Sequence, residues 1–154
     1  MRKLTKETLK QFIDQAKEIP TDVFPGDTEL GKRGLDMLEE FRLSKLGEQK
    51  HFDVDSSYDW HGLLVLNDRD GKEYGMSVSF ALPIIVPDFD IEIETERVRL
   101  TVSRLAPETV EIVDKIAEKY GYFILDRSEL DRLARELGYT EVDIKNVAGL
   151  YDQD

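Results

Sequence analysis

Five side chains able to ligate a metal or move a proton fall within eleven residues: His51, Asp53, Asp55, Asp59 and His61. On an extended chain His51, Asp53 and Asp55 share one face, and imidazole beside carboxylate can hold a divalent cation. Either histidine could instead act as a general acid or base, since its proton is labile near neutrality. The spacing matches no specific metal site. Ser56 and Ser57 mark a turn beside these residues, so the sequence favours polar, outward-facing positions and assigns no metal ligand.

Other candidate chemistry fails on its details. Asp68-Arg69-Asp70-Gly71 is a fragment of a calcium loop. A full loop would need an acidic or amide residue at position 66 and Glu at 77. Those positions hold Leu66 and Ser77, and a hairpin turn is the expectation. Gly75-Met76-Ser77-Val78-Ser79 has serine where the second glycine of a nucleophile elbow belongs. P-loop, G-x-G-x-x-G and H-E-x-x-H patterns are absent. A glycosidase needs only two carboxylates, and 33 acidic residues offer too many pairs to single one out. The chain has no cysteine, which excludes disulfides, thiolate metal sites and cysteine nucleophiles. No catalytic residue and no cofactor follows from these patterns.

What remains is an acidic stripe. Asp88, Asp90, Glu92 and Glu94 alternate with Phe89, Ile91 and Ile93, and Asp53, Asp55 and Asp59 lie upstream beside Trp60. The formal net charge is −12. Residues 1–50 carry ten basic and ten acidic groups; residues 51–96 carry two and eleven; residues 97–154 carry nine and twelve. A field of one sign opposes direct contact with nucleic-acid phosphates and suits a basic protein partner. The alternative is a sheet face charged only for solubility and against edge-to-edge pairing.

These residues must be positioned by local elements. Residues 5–46 read as two amphipathic helices, the first capped by Thr5 and stopped by Pro20, the second capped by Asp27 and stopped by Gly47. Gly31 and Gly34 either allow close packing of that second helix or delay its start. Residues 51–104 read as an antiparallel sheet. His51–Asp55 is a short edge strand, Trp60–Leu66 a central one, and Lys72–Ala81 its return. Pro83 and Pro87 suggest an edge or a crossing for Ile84–Val86, because proline lacks a ladder donor. A hairpin folded about Thr95-Glu96 sets Ile93 opposite Val98, Ile91 opposite Leu100 and Phe89 opposite Val102, with Glu94 facing Arg97 and Glu92 facing Arg99. Residues 107–151 read as helices, with Pro107 at a first helical position, Gly121 and Gly138 as stops, a short strand at 122–125, and a capping box from Asp126 to Glu129. Thr140 caps a last helix.

One α+β domain over residues 1–154 follows, of order ααββββ(β)αβαα, with a mostly antiparallel sheet of four to six strands and helices packed mainly on one face. No segment has the roughly 18 apolar residues of a membrane span, and the N-terminus lacks a signal-peptide core; a cytoplasmic protein is the expectation. The function expected is a small acidic binding module that neutralises or inhibits a basic partner, in the manner of toxin-immunity proteins or phage-type inhibitors. Its contact residues would be Asp53, Asp55, Asp59, Trp60, Asp88, Asp90, Glu92 and Glu94. The rival readings are a small enzyme or metal-dependent protein using His51 and His61, and an assembly or scaffold protein.

Overall fold

The computed structural model describes residues 1–20, 22–44, 52–53, 60–67, 73–87, 90–93, 96–99 and 101–140, with backbone alone at 52–53, 63, 65, 67, 73–74, 90–93 and 96–99. The elements run α1 (Lys6–Lys17), α2 (Glu29–Leu43), β1 (Phe52–Asp53), β2 (His61–Asn67), β3 (Glu73–Ser79), β4 (Ile84–Pro87), β5 (Asp90–Ile93), β6 (Glu96–Arg99), α3 (Pro107–Lys119), β7 (Phe123–Ile124) and α4 (Arg127–Glu136). Short 3₁₀ turns at Pro25–Asp27 and Val102–Arg104 precede α2 and α3. The α+β class and the approximate element order expected from the sequence are both present.

Local chemistry accounts for most boundaries. Thr5 caps α1, its hydroxyl accepting from Thr8 N–H at 3.2 Å. Pro107 opens α3, where a missing N–H costs nothing. Gly121 (φ 74°) and Gly138 (φ 85°) follow α3 and α4 in the left-handed conformation that glycine adopts without strain. Two expected caps differ. Thr28, not Asp27, caps α2: its Oγ1 accepts from Gly31 N–H at 2.9 Å while donating to the Pro25 carbonyl at 2.8 Å. Asp126 stands at the cap position of α4 but makes no side-chain cap there. Its carboxylate accepts instead from Val102 N–H at 2.7 Å, tying the turn before α3 to the end of β7. A long-range donor won over the local one.

β4 is where the two halves of the core meet. Among the described residues five strands form one sheet in the order β1-β2-β3-β4-β7, antiparallel except for the parallel β4–β7 pair. β4 is therefore interior, not the edge its prolines suggested. Pro83 lies just before the strand and Pro87 ends it, so neither missing donor interrupts the middle of the ladder. Pro83 contributes its carbonyl instead, accepting from Phe123 N–H at 2.9 Å.

Successive β4 side chains point to opposite faces, and both faces are buried. Ile85 joins Leu64, Leu66, Met76, Val78 and Phe80 beneath α2 and α3. Ile84 and Val86 join Leu9, Ile13, Leu130 and Leu133, from α1 and α4. The helices are thus divided between the two faces more evenly than the sequence suggested. Burying each such aliphatic side chain contributes roughly 1.5–3 kcal/mol.

The α2 glycines serve close packing. A Cβ on Gly34 would stand 2.6 Å from Tyr122 Oη and 2.7 Å from Phe80 Cδ1, and one on Gly31 would stand 1.8 Å from the Pro25 carbonyl oxygen. Tyr122 is buried (1% exposed) and donates its hydroxyl to the Ser79 carbonyl at 2.8 Å. Burial raises its phenol far above the usual tyrosine range, so it stays a neutral donor.

Candidate functional site

The acidic stripe lies partly on a hairpin that forms its own two-stranded sheet, apart from the five-stranded one. Its register is not the one expected. Ile91 stands opposite Val98 and Ile93 opposite Glu96, while Asp90 faces Arg99 and Glu92 faces Arg97. Each pairing is displaced by two residues from the expected one. A shift of two preserves the segregation of sides, because strand periodicity is two. Val102, expected across from Phe89, instead sits in the 3₁₀ turn and is buried in the core under α2 and α3. Burial of that side chain outweighed continuation of the alternating pattern.

The hairpin therefore sets both of its arginines across from acids. Opposite charges in cross-strand positions favour the ladder and cancel most of its own field. Asp53 lies on edge strand β1, opposite Leu63. Trp60 is half-buried and packs against the core beneath α2 and α3, while its carbonyl accepts from Phe80 N–H at 2.8 Å. Part of its indole is thus committed to the fold. His61 opens β2 across from Ser79. Asp55, Asp59, Asp88, Glu94 and His51 lie outside the described residues, as do the turn after Asn67, the expected Gly47 stop and the expected helix after Thr140. Among the described residues no cluster of three or more His, Asp or Glu side chains could hold a metal ion, and no helix is long and apolar enough to cross a membrane.

Charge is handled differently on the helices. α1 carries three basic and two acidic residues, α2 three and four, α3 two and four, α4 three and three. Many are joined at helical spacing. Lys10 and Asp14 meet at 2.8 Å, Lys115 and Glu111 at 3.5 Å, and Arg132 and Glu136 at 3.3 Å; Arg42 pairs with Glu39. Lys119 bridges α3 to Glu40 of α2, and the Tyr120 hydroxyl donates to the same carboxylate at 3.1 Å. Hydrogen bonds from Arg42 and Lys119 hold the Glu39 and Glu40 carboxyls below their ordinary range. Such exposed pairs contribute little stability each, but they neutralise the helical layers locally.

A second feature was not apparent from sequence. A cleft of about 450 Å³ opens between α1 and the start of α2. Phe12, Ile19, Leu30 and Pro83 are among its apolar walls, and Glu29 and Arg33 carry its charge. Phe12 reads as part of the inward stripe of α1, yet it is half-buried where Leu9 and Ile13 are fully covered. Helical periodicity identifies the stripe, but not where the neighbouring helix leaves a gap beside it. Searches with protein-family models, curated proteins and solved structures found no match to this chain.

Proposed function

We propose that this protein is an acidic binding module that covers a basic site on another protein, of the toxin-immunity or inhibitor type. One observation carries the reading. The charge excess is confined largely to residues 51–96, with two basic and eleven acidic groups, while α1 to α4 together carry eleven basic and thirteen acidic groups and pair many of them. A field of one sign over one part of a surface speeds association with a complementary site and selects the partner. Asp53, Asp55, Asp59, Asp88, Asp90, Glu92 and Glu94 form the proposed contact set, with Trp60 as an aromatic anchor. Within it Asp90 and Glu92 are opposed by Arg99 and Arg97, so Asp53, Asp55, Asp59, Asp88 and Glu94 carry more of the net field.

The test is a comparison of the wild type with the triple variant Asp53→Asn, Asp88→Asn, Asp90→Asn in partner capture. It is run at about 50 mM and about 500 mM salt, where the Debye length falls from roughly 14 Å to roughly 4 Å. A stoichiometric basic partner held at low salt, weakened at high salt and weakened by the triple variant supports the reading. Unchanged affinity in the triple variant for every partner captured would end it.

A further inference from the structure

We propose that the cleft between α1 and α2 binds a small zwitterionic ligand, an ammonium and a carboxylate on an apolar body, of the size of an apolar amino acid or dipeptide. At about 450 Å³ the cleft falls within the range of small-molecule sites. Its walls are built on elements fixed by other contacts. Pro83 is buried, and its carbonyl belongs to the bonding between β4 and β7. Phe12 is held by a ring contact with Phe123, centroids 5.9 Å apart. The start of α2 is locked by the Thr28 cap and by the close approach of Gly31 to Pro25.

The polar groups select the ligand's chemistry. Glu29 and Arg33 stand one helical turn apart on α2 and both line the cleft. Acid four residues before base is the favoured order for a helical ion pair, yet no ion pair joins these two, although pairs at similar spacing close on α1, α3 and α4. Arg33 is directed toward the turn before β7: its Nη1 lies 3.2 Å from where a Cβ on Gly121 would sit. Two separated opposite charges on one wall discriminate by repulsion as well as attraction. A simple anion would meet Glu29 and a simple cation would meet Arg33. A ligand bearing both charges satisfies both, its carboxylate on the guanidinium fork and its ammonium on Glu29. Phe12, Ile19 and Leu30 then cover its apolar body. This inference is independent of the acidic-surface reading, since Glu29 and Arg33 lie outside residues 51–96.

The test is titration of the full chain with the dipeptide Leu-Phe, followed by amide proton–nitrogen NMR correlation spectra. Saturable shifts centred on Gln15, Leu30, Arg33 and Ala81 are expected. N-acetyl-Leu-Phe and Leu-Phe-amide should each bind about tenfold more weakly, the loss of one hydrogen bond to a charged group. Glu29→Gln should abolish discrimination against the acetylated peptide, and Arg33→Gln discrimination against the amide. Both side chains are exposed, so each variant should keep the wild-type thermal midpoint. No saturable shift at millimolar dipeptide, or equal binding of free and blocked peptides, would overturn the proposal.

Discussion

The helices and the segment from 51 to 96 treat charge in opposite ways. On α1, α3 and α4, acid and base alternate at spacings that let neighbours meet on one helix face, and several such pairs close. Strands offer no such neighbour along the chain. Opposite charges on a strand can be paired only across the ladder, and the β5–β6 register sets Asp90 across from Arg99 and Glu92 across from Arg97. Upstream of the hairpin the segment has only Arg69 and Lys72 to set against seven acids from Asp53 to Asp88. The regular acidic stripe is thus compensated only in part: Asp90 and Glu92 stand across from arginines, whereas Asp88 joins the acids upstream. The β5–β6 ladder brings its own counter-charges, and the β1–β2 ladder does not, since Asp53 stands across from Leu63.

Four tests break or sharpen this contrast. The largest effect is expected at the joint between the helical layer and the sheet. Gly34→Val places carbon against Tyr122 Oη and the Phe80 ring. It should destabilise the fold by about 2–4 kcal/mol, from overpacking plus disruption of the Tyr122–Ser79 hydrogen bond. Urea denaturation measures it; a loss below about 1 kcal/mol would mean that α2 is not seated as described.

The next effect separates function from fold. The triple variant Asp53→Asn, Asp88→Asn, Asp90→Asn should weaken a partner complex about tenfold at low salt, with stability changed by only about 0.5 kcal/mol. A control removing helical charge, Asp14→Asn with Glu111→Gln, should leave affinity unchanged. Equal losses from both sets would erase the distinction between the two regions.

Asp126→Asn weakens a charged acceptor of the Val102 N–H and should cost about 1 kcal/mol in denaturation. If Asp126 were only a local helix cap, asparagine would replace it without loss.

The smallest effect concerns pH. Glu40 is held below the ordinary carboxylate range chiefly by the hydrogen bond from Lys119. Its folded form therefore binds a proton less readily than the unfolded chain does. The stability this gives is present above the ordinary range and is lost as pH falls through the depressed value. Glu40→Gln should flatten the acid limb of the thermal midpoint between about pH 5 and about pH 3. An unaltered limb would show that the α2–α3 bridge is absent in solution.

The local elements were legible because their signals are short-range. Thr5, Pro107, Gly121 and Gly138 each act within a turn of their own position, and the structure uses all four where the sequence places them. The hairpin was legible as an element but not in its register, because shifts of two residues leave the alternating pattern intact. Asp126 was misread because two donors competed for it, and the winning one is 24 residues away in the chain.

By itself the sequence determined the α+β class, the starts of α1 and α3 at Thr5 and Pro107, the stops of α3 and α4 at Gly121 and Gly138, and the concentration of acid between 51 and 96. Tertiary structure alone decided that β4 is interior, that helices cover both sheet faces, that Gly34 yields its space to Tyr122, and that a cleft opens between α1 and α2. The physical reason is one of range. Caps, turns and periodicity are settled among residues a few positions apart. Which faces meet depends on burial shared by segments distant in the chain, for which no local pattern carries the address.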